Sequence, residues 1–143
     1  MAEGHLKFDV SVVTPDGTAY EGPAEMLVVP GAAGEIGVLA RHAPLIATLK
    51  AGSTRVYLDR AAEDILEFAT GPGFFKVEVD RALALVDDAV NVKEIDDARA
   101  QRQLEEATAE LARVEAGESR ADRWQLEQRL RHAENQLRVS GRT

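Results

Sequence analysis

The chain has 143 residues, 45% of them hydrophobic, and a net charge of −8. This apolar content supports a packed core, and the length suits one domain or a small domain with an appendage. An acidic chain makes a poor nucleic-acid binder, because contact with phosphates needs an excess of lysine and arginine. The sequence contains no cysteine, which excludes disulfides, thiolate catalysis and cysteine-ligated zinc.

The sequence also bears on the relation of the protein to membranes. No stretch of it approaches the roughly 20 apolar residues that a membrane-spanning helix needs. The first seven residues are mostly polar or small and contain no apolar signal segment. We therefore expect a chain that stays in the compartment where it is made and does not insert into the bilayer itself, although it can attach to a membrane complex.

The chain up to about Val90 has the pattern of short β-strands. Phe8, Val10 and Val12 alternate with polar residues, which places them on one face of a strand. Further strands are predicted without a helix between them, and Pro30-Gly31 is expected to end the first of these. They cover residues 26–29, 36–39, 46–49, 54–58, 65–69, 74–79 and 83–86. Short strands at this spacing predict a sandwich or barrel.

Beyond residue 90 the composition changes to strong helix formers. Apolar residues recur there at steps of three and four, in two sets. The sets are Leu104, Ala107, Leu111 and Val114, then Leu126, Leu130, Ala133 and Leu137. Each set forms one narrow apolar stripe of a helix. We predict an α+β chain in two parts, with a β-sandwich over residues 1–90 and an antiparallel helical hairpin over residues 91–143.

The segment between the two helices contains a glycine and a capping candidate. Gly117 can take the left-handed conformation that ends a helix, and Ser119 is expected to cap the second helix with Asp122 three residues on. The stripes are thin and rich in alanine, so the hairpin alone is expected to be marginally stable. This predicts an element that moves between docked and released states.

The two halves of the predicted hairpin carry opposite net charges. Residues 94–118 carry 8 acids and 3 bases, a net −5, whereas residues 119–143 carry 3 acids and 6 arginines, a net +3. The basic end suits an acidic protein surface. The alternative is that its arginines pair with the acids of the first helix and hold the hairpin shut.

A search for catalytic motifs finds none. The sequence lacks a phosphate-binding loop and the G-x-S-x-G motif of hydrolases, and its three histidines, His5, His42 and His132, show no metal-binding spacing. We expect a protein that is not an enzyme, binds no metal and requires no cofactor.

One segment is distinctive. Residues 34–45 read G-E-I-G-V-L-A-R-H-A-P-L, which resembles the signature G-x-x-G-V-L-P-x-H-x-P-L of the epsilon subunit of bacterial rotary ATP synthase. Further segments that resemble the family are 14–16, 71–75, 86–89, 95–100 and 136–139. Two residues depart from the family pattern: Ala40 replaces a proline, and Pro72 replaces the middle glycine of a Gly-Gly-Phe motif.

The resemblance implies a fold and a role. The fold is a sandwich of about ten strands followed by a helical hairpin. The sandwich would anchor the chain to the gamma subunit and the c-subunit ring of the rotor. The chain would then couple proton flow to ATP synthesis as a peripheral membrane protein on the cytoplasmic face of the bacterial plasma membrane. The hairpin would extend towards the alpha and beta subunits of the catalytic head and inhibit ATP hydrolysis.

The same resemblance implies two partner interfaces. The signature segment would contact gamma and the c ring, through Gly37, Val38, Leu39, Arg41, His42 and Pro44. We expect Gly37 itself to meet a backbone-packing requirement rather than to bind. The basic helix would meet an acidic segment of a catalytic beta subunit, through Arg120, Arg123, Arg129 and Arg131.

A regulatory ATP site is also implied by the resemblance. Ile95, Asp96, Arg99 and Ala100 match an ATP-binding motif of some epsilon subunits, in which Arg99 would pair with phosphate and Asp96 would accept bonds from ribose or base. The alternative is that Asp96 stabilises the start of a helix and Arg99 forms a surface ion pair.

A different class of protein stays open from the residues alone. The chain could be a free-standing β-sandwich binding module whose hairpin dimerises as a coiled coil, although its stripes are short for one. That hypothesis predicts a stable homodimer, whereas an epsilon subunit is expected to be a monomer when isolated.

Overall fold

The computed structural model describes residues 6–61 and 63–141, and the chain forms two compact units. The first unit ends at Asn91 and the second begins at Val92. His5 and Arg142, the latter one of the six arginines counted in residues 119–143, lie outside the described residues.

The first unit is a ten-stranded sheet in its described part. The strands are β1 (Phe8–Thr14), β2 (Gly17–Ala24), β3 (Met26–Gly31), β4 (Gly34–Leu39), β5 (Leu45–Leu49), β6 (Gly52–Asp59), β7 (Asp64–Thr70), β8 (Gly73–Glu78), β9 (Arg81–Val86) and β10 (Ala89–Asn91). Their order is β10-β7-β6-β3-β5-β8-β9-β1-β2, with β4 beside β3. The β1–β9 pair is parallel and the other pairs are antiparallel.

The sheet folds over on itself where β3 meets β5 through Gly31 and Leu49. Alternate residues of the strands then face a shared interior, as the period of two requires. That interior is a cluster of buried side chains: Phe8, Val10, Val12, Ala24, Leu27, Val29, Val38, Leu49, Val56, Phe68, Phe75, Val77, Ala82, Ala84 and Val86. The sandwich predicted from the alternating pattern is therefore confirmed.

Three details of the strands differ from the sequence prediction. β2 and β10 were not predicted, because β2 has no apolar alternation and β10 is only three residues long. Pro30-Gly31 does not end the strand before it, since both residues belong to β3. β6 pairs with β3 only as far as Val28. Proline has no backbone N–H, and at Pro30 none is needed, because no hydrogen bond to β6 forms there.

The second unit is an antiparallel helical hairpin, as predicted. A 3₁₀ turn at Val92–Glu94 precedes α1 (Asp97–Glu115) and α2 (Arg123–Ser140). At one end Arg123 Nη2 lies 2.8 Å from Glu115 Oε1, and at the other Ser140 Oγ donates to Asp97 Oδ1 at 2.5 Å. The two predicted stripes are the buried or half-buried sides of the helices: Leu104, Ala107, Leu111, Val114, Leu126, Leu130, Ala133 and Leu137.

The connection between the helices corrects one prediction. Gly117 adopts a positive φ of 77°, as expected for a helix exit. Ser119 does not cap α2: its hydroxyl accepts a bond from the amide of Ala121 instead. The cap is Asp122, whose Oδ1 accepts from the backbone amides of Trp124 and Gln125. The carboxylate is favoured there, because it also opposes the positive end of the helix dipole.

We expect Asp122→Ala to destabilise the start of α2 by about 1 kcal/mol, because two amides of its first turn lose their acceptor. Amide hydrogen exchange should show faster exchange at Trp124 and Gln125. Ser119→Ala is the matched control and should leave both amides protected. Equal loss of protection in the two variants would contradict the assignment of the cap.

Candidate functional site

The described residues offer no arrangement for catalysis by a bound metal. Among them, no three His, Asp or Glu side chains lie together in a way that could hold an ion. Neither of the two helices is long and apolar enough to cross a bilayer. The surfaces that remain to be considered are those that fit another protein.

The signature segment forms β4 and the loop that follows it. β4 pairs with β3, and its other edge has no strand partner in the described part of the chain. The six predicted interface residues divide by burial. Val38 is fully buried in the core and His42 is half-buried, whereas the exposed members are Gly37, Leu39, Arg41 and Pro44. The structure thus brings five of the six to the surface of one segment.

Gly37 does not play the packing role that we expected. It pairs with Val28 along β4, and a Cβ built on it would meet nothing within 4 Å. No described residue of the chain therefore requires glycine at this position. The absent side chain leaves the outer surface of β4 open to close approach by another backbone.

The loop after β4 holds Arg41 in a strained conformation. Arg41 has φ 66°, a value uncommon for residues other than glycine. Its backbone amide donates to Val79 O at 2.7 Å, which secures the turn, and its side chain is exposed. His42 Nδ1 lies 2.6 Å from Ala43 O, so this nitrogen carries the proton and donates to the carbonyl. Strain kept in this way is typical of functional loops.

A second surface was not found from the sequence. The outer side of the sheet formed by β5, β8 and β9 exposes three large apolar residues, Ile46, Phe74 and Leu85, which we call the outer apolar face. These residues are 74%, 62% and 46% exposed, respectively. Phe74 pairs directly with Leu85, and Ile46 lies diagonal to Phe74 across β5 and β8. Adjacent exposed apolar residues of this size mark protein-binding surfaces.

The sequence did contain a signal for this face. Phe74 and Phe75 are consecutive in β8, so they must point to opposite sides of the sheet. Phe75 is fully buried, which leaves Phe74 outside. Two adjacent aromatic residues in a strand therefore indicate that one of them lies on the outer side of the sheet.

The four arginines expected to meet a catalytic subunit are all exposed on the hairpin, but they differ in their ion pairs. Arg123 pairs with Glu115 of α1 at 2.8 Å and with Glu127 of its own helix at 3.2 Å. Within the described ranges, Arg120, Arg129 and Arg131 form no ion pair. The pairing that would hold the hairpin shut is thus present at one arginine of the four.

A cleft of about 520 Å³ lies between the two helices. Arg129 lines it from α2, while Glu106 and Glu110 line it from α1. Glu110 is also 3.2 Å from Arg113 on its own helix. The positive charge of Arg129 and the negative charges of the two glutamates attract each other across the cleft and favour a closed hairpin. This attraction is weak, because the charges are exposed, and Arg129 forms no ion pair with either glutamate.

The predicted nucleotide motif occupies the start of α1. Asp96 is the N-cap of α1, and its Oδ1 accepts from the backbone amide of Arg99 at 3.1 Å. Ile95 is half-buried and Ala100 is buried, so neither presents a polar group to a ligand. The Arg99 side chain is exposed and makes no ion pair with a described residue. The helix-stabilising role of Asp96 is therefore observed, and Arg99 is the member of the motif available to phosphate.

Comparison with known proteins shows which family the chain is similar to. Residues 7–92 match the family described as "ATP synthase, Delta/Epsilon chain, beta-sandwich domain". The ATP synthase epsilon chain of Thermosynechococcus vestitus is 36% identical over 132 residues, which is 92% of this chain and 94% of the relative. That of Lacticaseibacillus casei is 33% identical and covers 97% of both chains. That of Laribacter hongkongensis is 39% identical over 73% of this chain and 74% of its own.

Two solved structures share the fold. A chain of the Euglena gracilis mitochondrial ATP synthase, in a structure of OSCP, F1 and the c-ring, has a TM-score of 0.63 at 20% identity. The match covers 99% of this chain and 82% of that one. A chain of the Tetrahymena thermophila mitochondrial ATP synthase central stalk and c-ring has a TM-score of 0.51 at 14% identity. It covers 64% of this chain and 72% of that one.

Proposed function

The chain belongs to the ATP synthase delta/epsilon family, and from this membership we propose that it is a non-catalytic rotor subunit that links gamma to the c ring. As an epsilon chain it is a subunit of ATP synthase. The observation that supports the proposal most is the outer apolar face, because a sandwich whose interior is already packed has no internal use for exposed Phe74 and Leu85. We further propose that the complex lies at the cytoplasmic face of a bacterial plasma membrane.

The two surfaces of the sandwich suit two kinds of contact. We assign the outer apolar face to gamma, because permanent interfaces are rich in apolar and aromatic residues. The segment from Gly37 to Pro44 exposes Leu39, Arg41 and Pro44 around the turn that Arg41 forms with a positive φ, which suits contact with the loops of a ring that moves as a unit. Together these contacts would transmit torque without touching the reacting phosphates.

We expect the double variant Phe74→Thr with Leu85→Thr to lose the gamma subunit. A tagged chain would be captured from detergent-solubilised membranes, and the recovered gamma and c subunits measured. Threonine keeps the strand propensity while removing the apolar area, so the sandwich should stay folded. Recovery of gamma should fall about tenfold or more, since buried aromatic anchors dominate interface energies.

Val79→Thr is the matched control for this capture. Val79 is 55% exposed but lies after β8, outside the outer apolar face. Its variant should recover gamma as well as the wild-type chain does. Failure of the wild-type chain to recover gamma and c subunits would remove the rotor proposal, and a stable homodimer by light scattering would favour the free-standing module.

The hairpin is proposed to act as a brake on ATP hydrolysis. In the closed form described here, Arg123 is held by Glu115 and Glu127, and the apolar stripes cover each other. Opening would release Arg123 and allow α2 to meet an acidic segment of a catalytic beta subunit. Because Arg120, Arg129 and Arg131 carry no ion pair with a described residue, that contact would break only one pair between the helices.

Regulatory ATP is a second proposal, supported by the exposed side chain of Arg99, which makes no ion pair with any described residue. Binding would place phosphate on Arg99 while Asp96 continues to cap α1. Titration of the isolated chain with ATP, followed by Trp124 fluorescence and by calorimetry, tests it. A saturable signal below millimolar ATP that Arg99→Ala abolishes would support the site. A flat titration at millimolar ATP would remove it.

A further inference from the structure

Alternate peptide groups of β4 point away from the rest of the sheet. β4 pairs with β3 so that Pro30 lies opposite Glu35, and Val28 lies opposite Gly37. The carbonyl oxygen of Pro30 accepts from the backbone amide of Lys50 at 2.9 Å, so this carbonyl points away from β4. Two residues that lie opposite each other in an antiparallel pair point their peptide groups either at each other or away from each other. The N–H and C=O groups of Glu35 and Gly37 therefore point to the outer edge of β4.

These outward peptide groups are open to solvent. Leu39 lies two residues after Gly37 and points its peptide group the same way, and all three residues are exposed. Because glycine has no side chain, the exposure of Gly37 is exposure of the backbone itself. Within residues 6–61 and 63–141, no hydrogen bond uses the outward amides and carbonyls of these residues. We call the outward peptide groups of Glu35, Gly37 and Leu39 the β4 edge.

The strands at the two ends of the sheet, β2 and β10, are protected against pairing with another strand. β2 contains Glu21 and Pro23, and β10 has only three residues. Charge, proline and short length are the features by which proteins prevent unwanted strand pairing. β4 contains neither proline nor lysine, and its single charged side chain, Glu35, is paired with Arg55 at 3.1 Å. Of these three strands, β4 is the one that stays open to a further strand.

A groove of about 450 Å³ lies beside the start of β4. It is lined by the β3–β4 turn, by Ile36 of β4 and by Ala47 and Thr48 of β5. Thr48 is exposed on the same side of β5 as Ile46, because the two are separated by two residues. Ile46 belongs to the outer apolar face. The groove therefore joins the outer apolar face to the start of the β4 edge.

We propose that the β4 edge binds an extended segment of the gamma subunit, which adds to the sheet as a further strand. This rests on the proposed assignment of the outer apolar face to gamma and adds a backbone contact beside it. Hydrogen bonds between main chains supply affinity in such a pairing, and the spaces for alternate side chains supply selectivity. A Cβ at Gly37 would meet nothing within 4 Å, so the residue of gamma opposite Gly37 has room for a large aromatic side chain.

A second copy of this chain fits the β4 edge less well than a strand of different sequence. Two antiparallel β4 strands centred on Gly37 would place the two glycines opposite each other, and the space above both would stay empty. The same register would place the charged Glu35 of each copy opposite the apolar Leu39 of the other. Neither pair supplies the side-chain contacts that stabilise neighbouring strands.

Hydrogen exchange in the assembled ATP synthase tests the pairing without a substitution. The complex is held in deuterated buffer and quenched, and the amide protons left on the released chain are measured by NMR. The amides of Glu35, Gly37 and Leu39 should exchange at least about tenfold more slowly in the complex than in the isolated chain. Those of Ile36 and Val38, which point at β3, should be protected in both. Equal rates in complex and isolated chain at the three edge amides would overturn the proposal.

Gly37→Pro removes one amide of the β4 edge. Recovery of gamma from solubilised membranes should fall about tenfold, because the facing carbonyl of gamma loses its donor. Proline is tolerated at an edge position whose N–H has no partner in the sheet, so the isolated variant should melt as a folded sandwich. Gly37→Ala keeps the amide and should keep most of the recovery.

Glu21→Pro is the matched control on the other side of the sandwich. The amide of Asp9, opposite Pro23, donates to Asp80 O at 2.9 Å and so points away from β2. Pro23 and, two residues earlier, Glu21 therefore face the free edge of β2. Glu21→Pro should recover gamma as the wild type does. Equal recovery of gamma by the Gly37→Pro and Glu21→Pro chains would contradict pairing at the β4 edge.

Failure of the strand pairing and failure of the rotor proposal give different results. If the wild-type chain recovers gamma but its three edge amides are not protected in the complex, the strand pairing is wrong and the rotor proposal stands. If the wild-type chain recovers neither gamma nor c subunits, both are wrong. Protection of the edge amides in the isolated chain that rises with its concentration would overturn the proposal in favour of self-pairing.

Discussion

Replacement of Gly73 by alanine is expected to destabilise the sandwich by about 3 kcal/mol, which would lower its melting temperature by about 12 °C or more. Gly73 opens β8 and pairs with Val86 of β9. A Cβ built on it would lie 1.8 Å from Leu85 O and 2.8 Å from Val86 Cα. These are backbone atoms of the neighbouring strand, so relief requires the β8–β9 pair to separate.

Gly37→Ala is the matched control for this prediction. It is also a glycine within a strand of the same sandwich, but its added methyl group would meet nothing within 4 Å. We expect its free energy of unfolding in urea to stay within about 0.5 kcal/mol of the wild-type value, as for surface substitutions in general. Equal stability of the Gly73→Ala and Gly37→Ala chains would show that the close β8–β9 approach is not required.

Replacing both Arg123 and Arg129 with alanine is expected to relieve inhibition of ATP hydrolysis by the whole complex about tenfold. Each substitution removes a cation that would face an acidic segment of the catalytic subunit. The wild-type inhibition should also weaken as salt is raised, because exposed charges are screened. Steady-state ATP hydrolysis by the reconstituted complex, at low and high ionic strength, measures both effects.

A charge-neutral variant of the partner acid separates the two roles of Arg123. Glu115→Gln removes the pair that holds the hairpin shut and leaves the arginine in place. The pair is exposed, so its loss destabilises the closed hairpin relative to the open one by at most about 1 kcal/mol, which changes the ratio of the two populations by roughly fivefold. Inhibition should therefore rise in Glu115→Gln and fall in the double arginine variant. A rise in both would mean that Arg123 only closes the hairpin, and unchanged inhibition would count against inserted arginines.

The sequence predicted those parts of the fold that depend on local pattern. The alternation of Phe8, Val10 and Val12 set the inner side of β1, and the step of three and four set the buried sides of both helices. β2 was missed because its sequence does not alternate in hydrophobicity. A strand of this kind is defined by its pairing with β1, which no local pattern reports.

The candidate site was predicted in part. The signature segment drew attention to residues 34–45, but Gly37 was assigned an internal role that the space around it does not support. Whether a glycine is required depends on atoms distant in sequence: Gly37 and Gly73 are both strand glycines, and only the second faces a neighbouring backbone. The outer apolar face was missed for a similar reason, since Ile46, Phe74 and Leu85 become neighbours only through strand register.

The helix cap shows the same limit at short range. Ser119 and Asp122 are both good N-cap residues, and their spacing fits a capping box. Which of them becomes the cap depends on the residue at which the chain, after the turn at Gly117, begins α2 and packs against α1. That geometry is fixed by contacts across the hairpin, including the Arg123–Glu115 pair.

Rotation of the chain itself tests the rotor proposal most directly. The sequence contains no cysteine, so Glu21→Cys, at an exposed position of β2, would supply a single thiol for a bead. With the catalytic head fixed to glass and ATP added, a bead on the chain is predicted to turn continuously in one direction. A bead that stays still while the complex hydrolyses ATP would contradict the assignment of this chain to the rotor.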